Sequence, residues 1–502
     1  MKWDVDWLEA RSRLFPEKTG VVDSESEQEW TYRDLYVRSL YAEEKLKNAG
    51  VQNGDRIAFL GPNHISSIDY MFAAKRMGAV FVPLNWRLAE EELAYIISDC
   101  SPRVLIYHEK FCDKASLLHC PVKISSGGAD PDTELESDVG SIRPEAAFVS
   151  MDAPWMIIYT GGTTGKPKGV VLTNRCVYTN AVNTIISWEI SSDDVTLSVM
   201  PMFHTGGINA LTLPVLFAGG KVVLASGFEP DRSVELLRKY GCTLVLLVPT
   251  MYHDLIQSEA FRQALFPEMK AFLSGGAPCP LPVYQAFTKK GLPFKEGYGL
   301  TEAGPNNFFI TTERARLKPG TVGKPMVYNS VRIVDDQFRT VSQGEAGELA
   351  VYGEHVFSNY WKNEKETAGA FKGSWLLTGD MARQDKDGDY YILGRKKDMV
   401  ITGGENVYPQ EVEQVINEHP AVKDIAVVGI PDERWGEIVT AIVVPYDGKM
   451  VTIHDIEEYC AKRLARYKVP KRVYITDRLP VTPVGKIDKK QLVSAYAPTE
   501  SG

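Results

Sequence analysis

The sequence lacks the features that would mark a membrane protein, a secreted scaffold or a metal centre. No apolar stretch in its 502 residues approaches the roughly twenty that span a bilayer. At the N-terminus, Met1-Lys2-Trp3-Asp4-Val5-Asp6-Trp7 puts charges where a signal peptide needs an apolar run, so a cytoplasmic chain is expected. The cysteines (Cys100, Cys112, Cys120, Cys176, Cys242, Cys279 and Cys460) are odd in number and never spaced C-x-x-C. Such usage suits reduced, structural thiols rather than a disulfide framework. No histidine pair has the spacing of a zinc motif, which argues against a protein-ligated zinc or haem. An excess of positive charge is also missing. Fifty-six Lys and Arg stand against sixty-five Asp and Glu, a net charge of −9. That balance argues against a protein that coats nucleic acid or anionic membrane, local basic patches aside, but not against one that binds a nucleotide.

What is present is a globular composition, 44% hydrophobic and 24% charged, at a length of several domain-lengths. Helical and strand patterns alternate. Leu35 to Asn48 has helical spacing and ends at Gly50, and Arg56 to Leu60 is a buried strand. Ile65 to Met77 is a helix closed by Gly78, and Ala79 to Leu84 is the next strand. Glu90 to Ser98 and Val104 to Tyr107 repeat the unit, which returns at Ser233 to Tyr240 and Thr243 to Val248. This rhythm predicts an α/β fold of parallel sheets covered by helices. Residues 124–143, rich in Ser, Gly, Asp and Pro, read as a surface loop before a strand at Trp155. A charged turn at Gly394-Arg395-Lys396-Lys397-Asp398 separates a large domain, 1–396, from a small one, 397–502. The second has its own helices (Gln410 to Asn417, Ile453 to Leu464) and strands (Ile425 to Gly429, Ile438 to Val444). It is expected to be a mobile α+β domain on a hinge.

The most informative segment is Tyr159-Thr160-Gly161-Gly162-Thr163-Thr164-Gly165-Lys166-Pro167-Lys168-Gly169. Glycines let backbone approach a ligand, hydroxyls bond phosphate oxygens, and lysines offset charge. It is not a Walker A loop, because the spacing between glycines is one residue short and Pro167 stands where the magnesium-binding hydroxyl would be. Its flanks, Trp155 to Tyr159 and Val170 to Thr173, are both strand-like. A strand–loop–strand hairpin is therefore expected, whereas a Walker loop opens a helix. A flexible Gly/Thr hairpin tip has similar composition, but the paired lysines within the glycines favour phosphate.

This segment resembles the signature loop of the AMP-forming adenylating superfamily, which comprises acyl-CoA synthetases, adenylation domains and luciferases. Gly161 stands where the family usually has Ser, so phosphate contacts should fall on Thr160, Thr163 and Thr164. Further stations follow in the family's order over nearly the whole chain. Pro201-Met202-Phe203-His204, followed by Thr205-Gly206-Gly207, resembles the acyl-pocket motif. Ser274-Gly275-Gly276-Ala277-Pro278 is similar to the stretch along the adenine. In Gly297-Tyr298-Gly299-Leu300-Thr301-Glu302, the resemblance implies that Tyr298 stacks on adenine, Thr301 meets the α-phosphate and Glu302 helps hold Mg²⁺. An oxygen ligand beside phosphates suits that ion. Thr378-Gly379-Asp380 resembles the ribose motif, in which the carboxylate accepts two hydroxyls, and Arg395 would also contact ribose. The resemblance makes Lys397 the hinge residue, places Gly403-Gly404-Glu405 near the thiol acceptor's tunnel, and makes Lys486 of Pro483-Val484-Gly485-Lys486 the adenylation lysine. Taken singly, each of these strings is more often a solvated turn; their common register is what removes that reading.

The resemblance implies a two-step chemistry. ATP and a carboxylic acid form acyl-AMP and pyrophosphate with Mg²⁺, and a thiol then displaces AMP. Bringing two anions together needs electrostatic preorganisation, supplied by Lys486, with Thr301, Glu302 and His204 beside the reacting groups. A hinge turning the small domain would let one pocket serve both steps. The leading expectation is a carboxylic acid–CoA ligase; a carrier-protein acceptor, a light-emitting relative and a catalytically silent nucleotide-binding regulator are the alternatives. Gly206, Gly207, Gly275, Gly276 and Gly304 would leave space for the acid, with Phe203, Phe308 and Met251 as apolar lining. No Arg or Lys stands among these residues, so an apolar monocarboxylic acid is expected, a fatty acid first and an aromatic acid next.

Overall fold

The computed structural model describes residues 2–126, 149–161, 166–481 and 487–497. Two seven-stranded sheets form the larger part of the molecule. In one, Pro154–Thr160, Val80–Leu84, Arg56–Leu60, Val104–Tyr107 and Val122–Ser125 run parallel, and Lys168–Thr173 and Asn359–Tyr360 close one edge antiparallel. In the other, Phe294–Glu296, Ala271–Ser274, Leu244–Leu247, Val195–Ser198, Lys221–Leu224 and Thr19–Asp23 are parallel, with Glu29–Thr31 antiparallel at the end. Near-continuous apolar strands such as Val80–Leu84 are buried along their whole length, as strands covered on both faces must be.

The helix signals are read correctly, with shifted ends. Ile65–Met77 begins at a His64 cap and stops at Gly78, whose φ of 64° no β-carbon-bearing residue adopts readily. The helix expected from Leu35 begins three residues earlier, as Tyr32–Asn48. Its start is set by a reciprocal cap: the Asp34 N–H donates to Thr31 Oγ1 at 3.2 Å, and the Thr31 N–H donates to Asp34 Oδ2 at 2.8 Å. The Ile453 helix ends at Ala461 rather than Leu464, its last turn tightening as the Arg463 and Leu464 N–H groups share the Cys460 carbonyl. Of the stretch expected to be a loop, 124–143, residues 127–143 lie outside the described residues, but Ile124 and Ser125 belong to a strand.

A third, five-stranded antiparallel sheet (Ser330–Val334, Ala346–Tyr352, Trp375–Gln384, Tyr390–Arg395 and Phe371–Lys372) gives no sign of itself in the helix–strand rhythm. A fourth begins beyond Lys396–Asp398, with Val422–Asp432 and Gly436–Pro445 at its centre, longer than expected at both ends. Helices Pro409–Asn417 and Ile453–Ala461 cover it, and its apolar residues form clusters drawn wholly from residues beyond 399. The fold is thus mixed α/β with a large N-terminal and a small C-terminal domain. Among the described residues, no helix is long and apolar enough to cross a membrane.

Candidate active site

The phosphate-loop segment is a hairpin. Pro154–Thr160 and Lys168–Thr173 pair antiparallel with Thr160 opposite Lys168, so the loop leaves one strand and re-enters the next. Gly162, Thr163, Thr164 and Gly165 lie outside the described residues. The stem is braced from three sides. The Tyr159 hydroxyl donates to Asp99 Oδ2 at 2.5 Å, and burial beside that carboxylate keeps the phenol protonated far above its ordinary range. The Trp361 N–H donates to the Gly169 carbonyl at 2.7 Å. The two lysines differ: Lys166 lies over the Tyr95 ring, whereas Lys168 is ion-paired with Glu366 at 2.5 Å. Among the described residues, nothing would lie within 4 Å of a β-carbon at Gly161.

Strands Leu244–Leu247, Ala271–Ser274 and Phe294–Glu296 run parallel and end side by side. Gly275-Gly276-Ala277 and Gly297-Tyr298-Gly299 follow two of these ends, and the Gly297 N–H donates to the Ser274 carbonyl at 2.8 Å. Crevices at the carboxyl ends of parallel strands are where open α/β sheets bind ligands. Beneath these turns lies Glu296, which sequence reasoning does not single out. Its carboxylate accepts from the Tyr284 hydroxyl at 2.6 Å and from the Cys279 N–H at 3.0 Å. Burial pushes its pKa up to about 7.

Tyr298, Asp380 and Arg395 are far apart in sequence and meet here. The Tyr298 hydroxyl donates to Asp380 Oδ2 at 2.6 Å, and Arg395 Nε lies 3.0 Å from Asp380 Oδ1. Asp380 and Arg395 are cross-strand partners in the antiparallel sheet, so its register sets their distance. Arg395 also donates to the Thr378 carbonyl at 3.1 Å. A carboxylate is acceptor-only, which is the chemistry that a ribose hydroxyl needs. Burial and the Asp380 charge hold the Tyr298 phenol well above its usual range, keeping it a donor.

Thr301 is buried and Glu302 partly exposed in the 3₁₀ turn Thr301–Ala303. Glu302 Oε1 accepts from the Tyr360 hydroxyl at 2.9 Å, a partner the sequence gives no hint of. One carboxylate beside a threonine hydroxyl fits Mg²⁺ that keeps water and takes its other oxygens from phosphates. Among the described residues, one cluster of acidic side chains is dense enough for an ion, Asp385, Asp387 and Asp389, and it already surrounds the Lys318 ammonium at 2.6, 2.5 and 2.8 Å.

On the acyl side, His204 caps the short helix Thr205–Ile208. Phe203 is buried, edge-on to Trp86 with centroids 6.4 Å apart. The exposed Arg87 lies over both rings, so a cation does stand beside the expected lining. Two glycines have structural reasons for being glycine besides leaving space. A β-carbon on Gly207 would sit 2.2 Å from the Pro201 carbonyl oxygen, and Gly304 has a φ of 70° with the Asn180 amide against it. Gly275 is roomier, with Leu246 the nearest side chain at 3.5 Å, and Gly206 has His204 and Met200 at 3.8 and 4.0 Å from where a β-carbon would stand. Phe308 is in the core, packed between Tyr298 and Tyr390, where it backs the tyrosine rather than lining a pocket. Met251 packs against the core of the second sheet.

Lys397 lies in the 3₁₀ turn Lys396–Asp398 between the third and fourth sheets. Gly403 and Gly404 turn the hairpin Val400–Thr402 to Glu405–Val407, and the Gly403 N–H donates to the Trp435 carbonyl at 2.8 Å. Lys486 lies outside the described residues.

The chain belongs to the AMP-binding enzyme family, which matches residues 8–361, with the AMP-binding enzyme C-terminal domain matching residues 411–486. Within that class it is an ATP-dependent acid–CoA ligase. It is 36% identical over 488 residues to a feruloyl-CoA synthase of Amycolatopsis sp, covering 97% of each chain. It is 35% identical over 500 residues to an indoleacetate–CoA ligase of Aromatoleum aromaticum, covering 97% of this chain and 98% of that one. Among solved structures, o-succinylbenzoate CoA synthetase of Bacillus subtilis, in complex with its acyl-adenylate intermediate, superposes with a TM-score of 0.88 at 30% identity, covering 98% of each chain.

Proposed function

We propose that this enzyme activates an aromatic carboxylic acid as its acyl-adenylate and transfers the acyl group to CoA. The Tyr298–Asp380–Arg395 cluster carries the nucleotide half of this reading, since it joins a ring for adenine to a carboxylate and a guanidinium for ribose. Thr160, the remaining loop threonines and Lys166 would hold the phosphates, with Thr301 at the α-phosphate. Mg²⁺, when bound through Glu302, would neutralise phosphate charge. The acid's carboxylate would then attack the α-phosphorus, form the acyl–phosphate bond and expel pyrophosphate, with Lys486 between the two anions. In the second step the CoA thiol would attack the acyl carbon, lose its proton and release AMP. A turn of residues 397–502 about Lys397 would replace Lys486 by the Gly403-Gly404-Glu405 hairpin.

The choice of acid moves from fatty to aromatic. The feruloyl and indoleacetate relatives take ring-bearing acids, and the edge-on pair of Phe203 and Trp86 is a surface that favours a ring. A panel of hydroxycinnamic, indoleacetic, benzoic and straight-chain fatty acids, scored for CoA-dependent AMP release, tests this directly. The highest kcat/KM should fall on a ring-bearing acid. A C8–C16 fatty acid ahead of every aromatic acid would reverse the choice.

A further inference from the structure

We infer that Tyr360 is a positioning residue for the metal step, holding the Glu302 carboxylate in place from the phosphate hairpin; the inference rests on Glu302 being the metal-holding residue. Strand Asn359–Tyr360 forms the edge next to the hairpin's second strand, with Tyr360 opposite Val170 and Asn359 opposite Val171. The backbone is stitched there at both ends, the Ser358 N–H donating to the Val171 carbonyl at 3.1 Å and the Trp361 N–H to that of Gly169 at 2.7 Å. Tyr360 is held further by its own N–H, which donates to Thr367 Oγ1 at 3.0 Å, and by its ring, 4.8 Å from that of Phe357. From this anchored position its hydroxyl reaches Glu302 Oε1 at 2.9 Å, while the Phe357 N–H donates to the Glu302 carbonyl at 2.8 Å.

One short segment, Phe357 to Trp361, thus grips both the hairpin and the Glu302 turn. The same ring lies under the Lys168 ammonium, centroid 5.5 Å away, so a loop lysine and the acidic residue share one support. A hydroxyl on Oε1 fixes the plane of the carboxylate and leaves Oε2 for a cation. A neutral donor does this without the competing charge that a lysine or arginine would bring.

The test compares wild type, Tyr360→Phe and Glu302→Gln. Mn²⁺ affinity is measured by the EPR signal of free Mn²⁺ in the presence of α,β-methylene-ATP, and AMP affinity is measured without metal. Partners that orient a metal ligand typically contribute about 10–100-fold in metal affinity. Tyr360→Phe should therefore weaken Mn²⁺ binding by that factor with AMP affinity unchanged, and the Mg²⁺ half-saturation of ATP–pyrophosphate exchange should rise in parallel. The ring remains on Phe357, so a general loosening of the fold would instead lower AMP affinity as well. Weakened Mn²⁺ binding in Glu302→Gln but not in Tyr360→Phe overturns the positioning role and leaves Glu302 as ligand. Unchanged binding in both removes Glu302 from the metal site, and the inference falls with it.

Discussion

Replacing Asp380 by Asn should weaken nucleotide binding chiefly through the ribose. Asp380 is buried, with Oδ2 taking the Tyr298 hydroxyl and Oδ1 facing Arg395. Asn keeps the shape but turns one acceptor oxygen into an NH₂ donor and removes the charge. Hydrogen bonds to a charged group contribute about 1.5–3 kcal/mol each. If the carboxylate receives two ribose hydroxyls, the lost free energy is about 3–6 kcal/mol, of which the surviving amide oxygen recovers part. AMP affinity should accordingly fall by about 100-fold, 1.4 kcal/mol being a factor of ten. The decisive assay is a cycle with the ligand: AMP and 2′,3′-dideoxy-AMP titrated calorimetrically into wild type and variant. Wild type should discriminate strongly against the dideoxy nucleotide, and Asp380→Asn should lose most of that discrimination. Equal discrimination in both proteins would show that Asp380 serves only to hold Tyr298 and Arg395. The reasoning from ribose would then be wrong.

Two further perturbations probe the support and the chemistry. Glu296 carries a pKa of about 7 in the folded protein against 4.5 for the ordinary group, so the folded state binds the extra proton and its stability is greatest at low pH. That contribution, about 3 kcal/mol, is lost as pH rises from near 5 through 7, and Glu296→Gln should flatten this part of a urea-denaturation profile; an unchanged slope would refute the assignment. Lys486→Ala should slow adenylate formation by about 10²–10³-fold while sparing thiol transfer from supplied acyl-adenylate. Equal loss of both half-reactions would count against a lysine used in one conformation only.

The chemistry was legible where it demands particular residue types. A loop that must let backbone approach phosphate is written in glycine and threonine, so Thr160 to Gly169 stands out from its residues, whereas Thr378-Gly379-Asp380 is picked out only by its resemblance to the ribose motif. The hairpin could also be inferred, because both flanks are apolar and short; the pairing of Thr160 with Lys168 bears this out. Supporting residues leave no such mark. Asp99, Glu366 and Tyr360 act through contacts with residues 60, 198 and 58 positions away, and any one of them reads as an ordinary surface or strand residue. Glycines mislead for a related reason. At Gly207 the Pro201 carbonyl, a neighbour visible only after folding, is by itself enough to require glycine, whether or not a substrate needs the space.

By itself, then, the sequence determined which segments pair hydrophobic strands with amphipathic helices, and which motifs carry nucleotide chemistry, because burial and ligand recognition restrict residue type locally. The tertiary structure decided what those motifs do to one another. Tyr298 reaches Asp380 because the Phe294–Glu296 strand ends against the antiparallel sheet, and Asp380 faces Arg395 because of that sheet's register. Lys168 is drawn to Glu366, and Phe308 becomes core rather than pocket, for the same reason. Distances between groups scores of residues apart are set by how sheets stack and which edges meet, and that information is spread over the whole packed interior rather than held in any one stretch of chain.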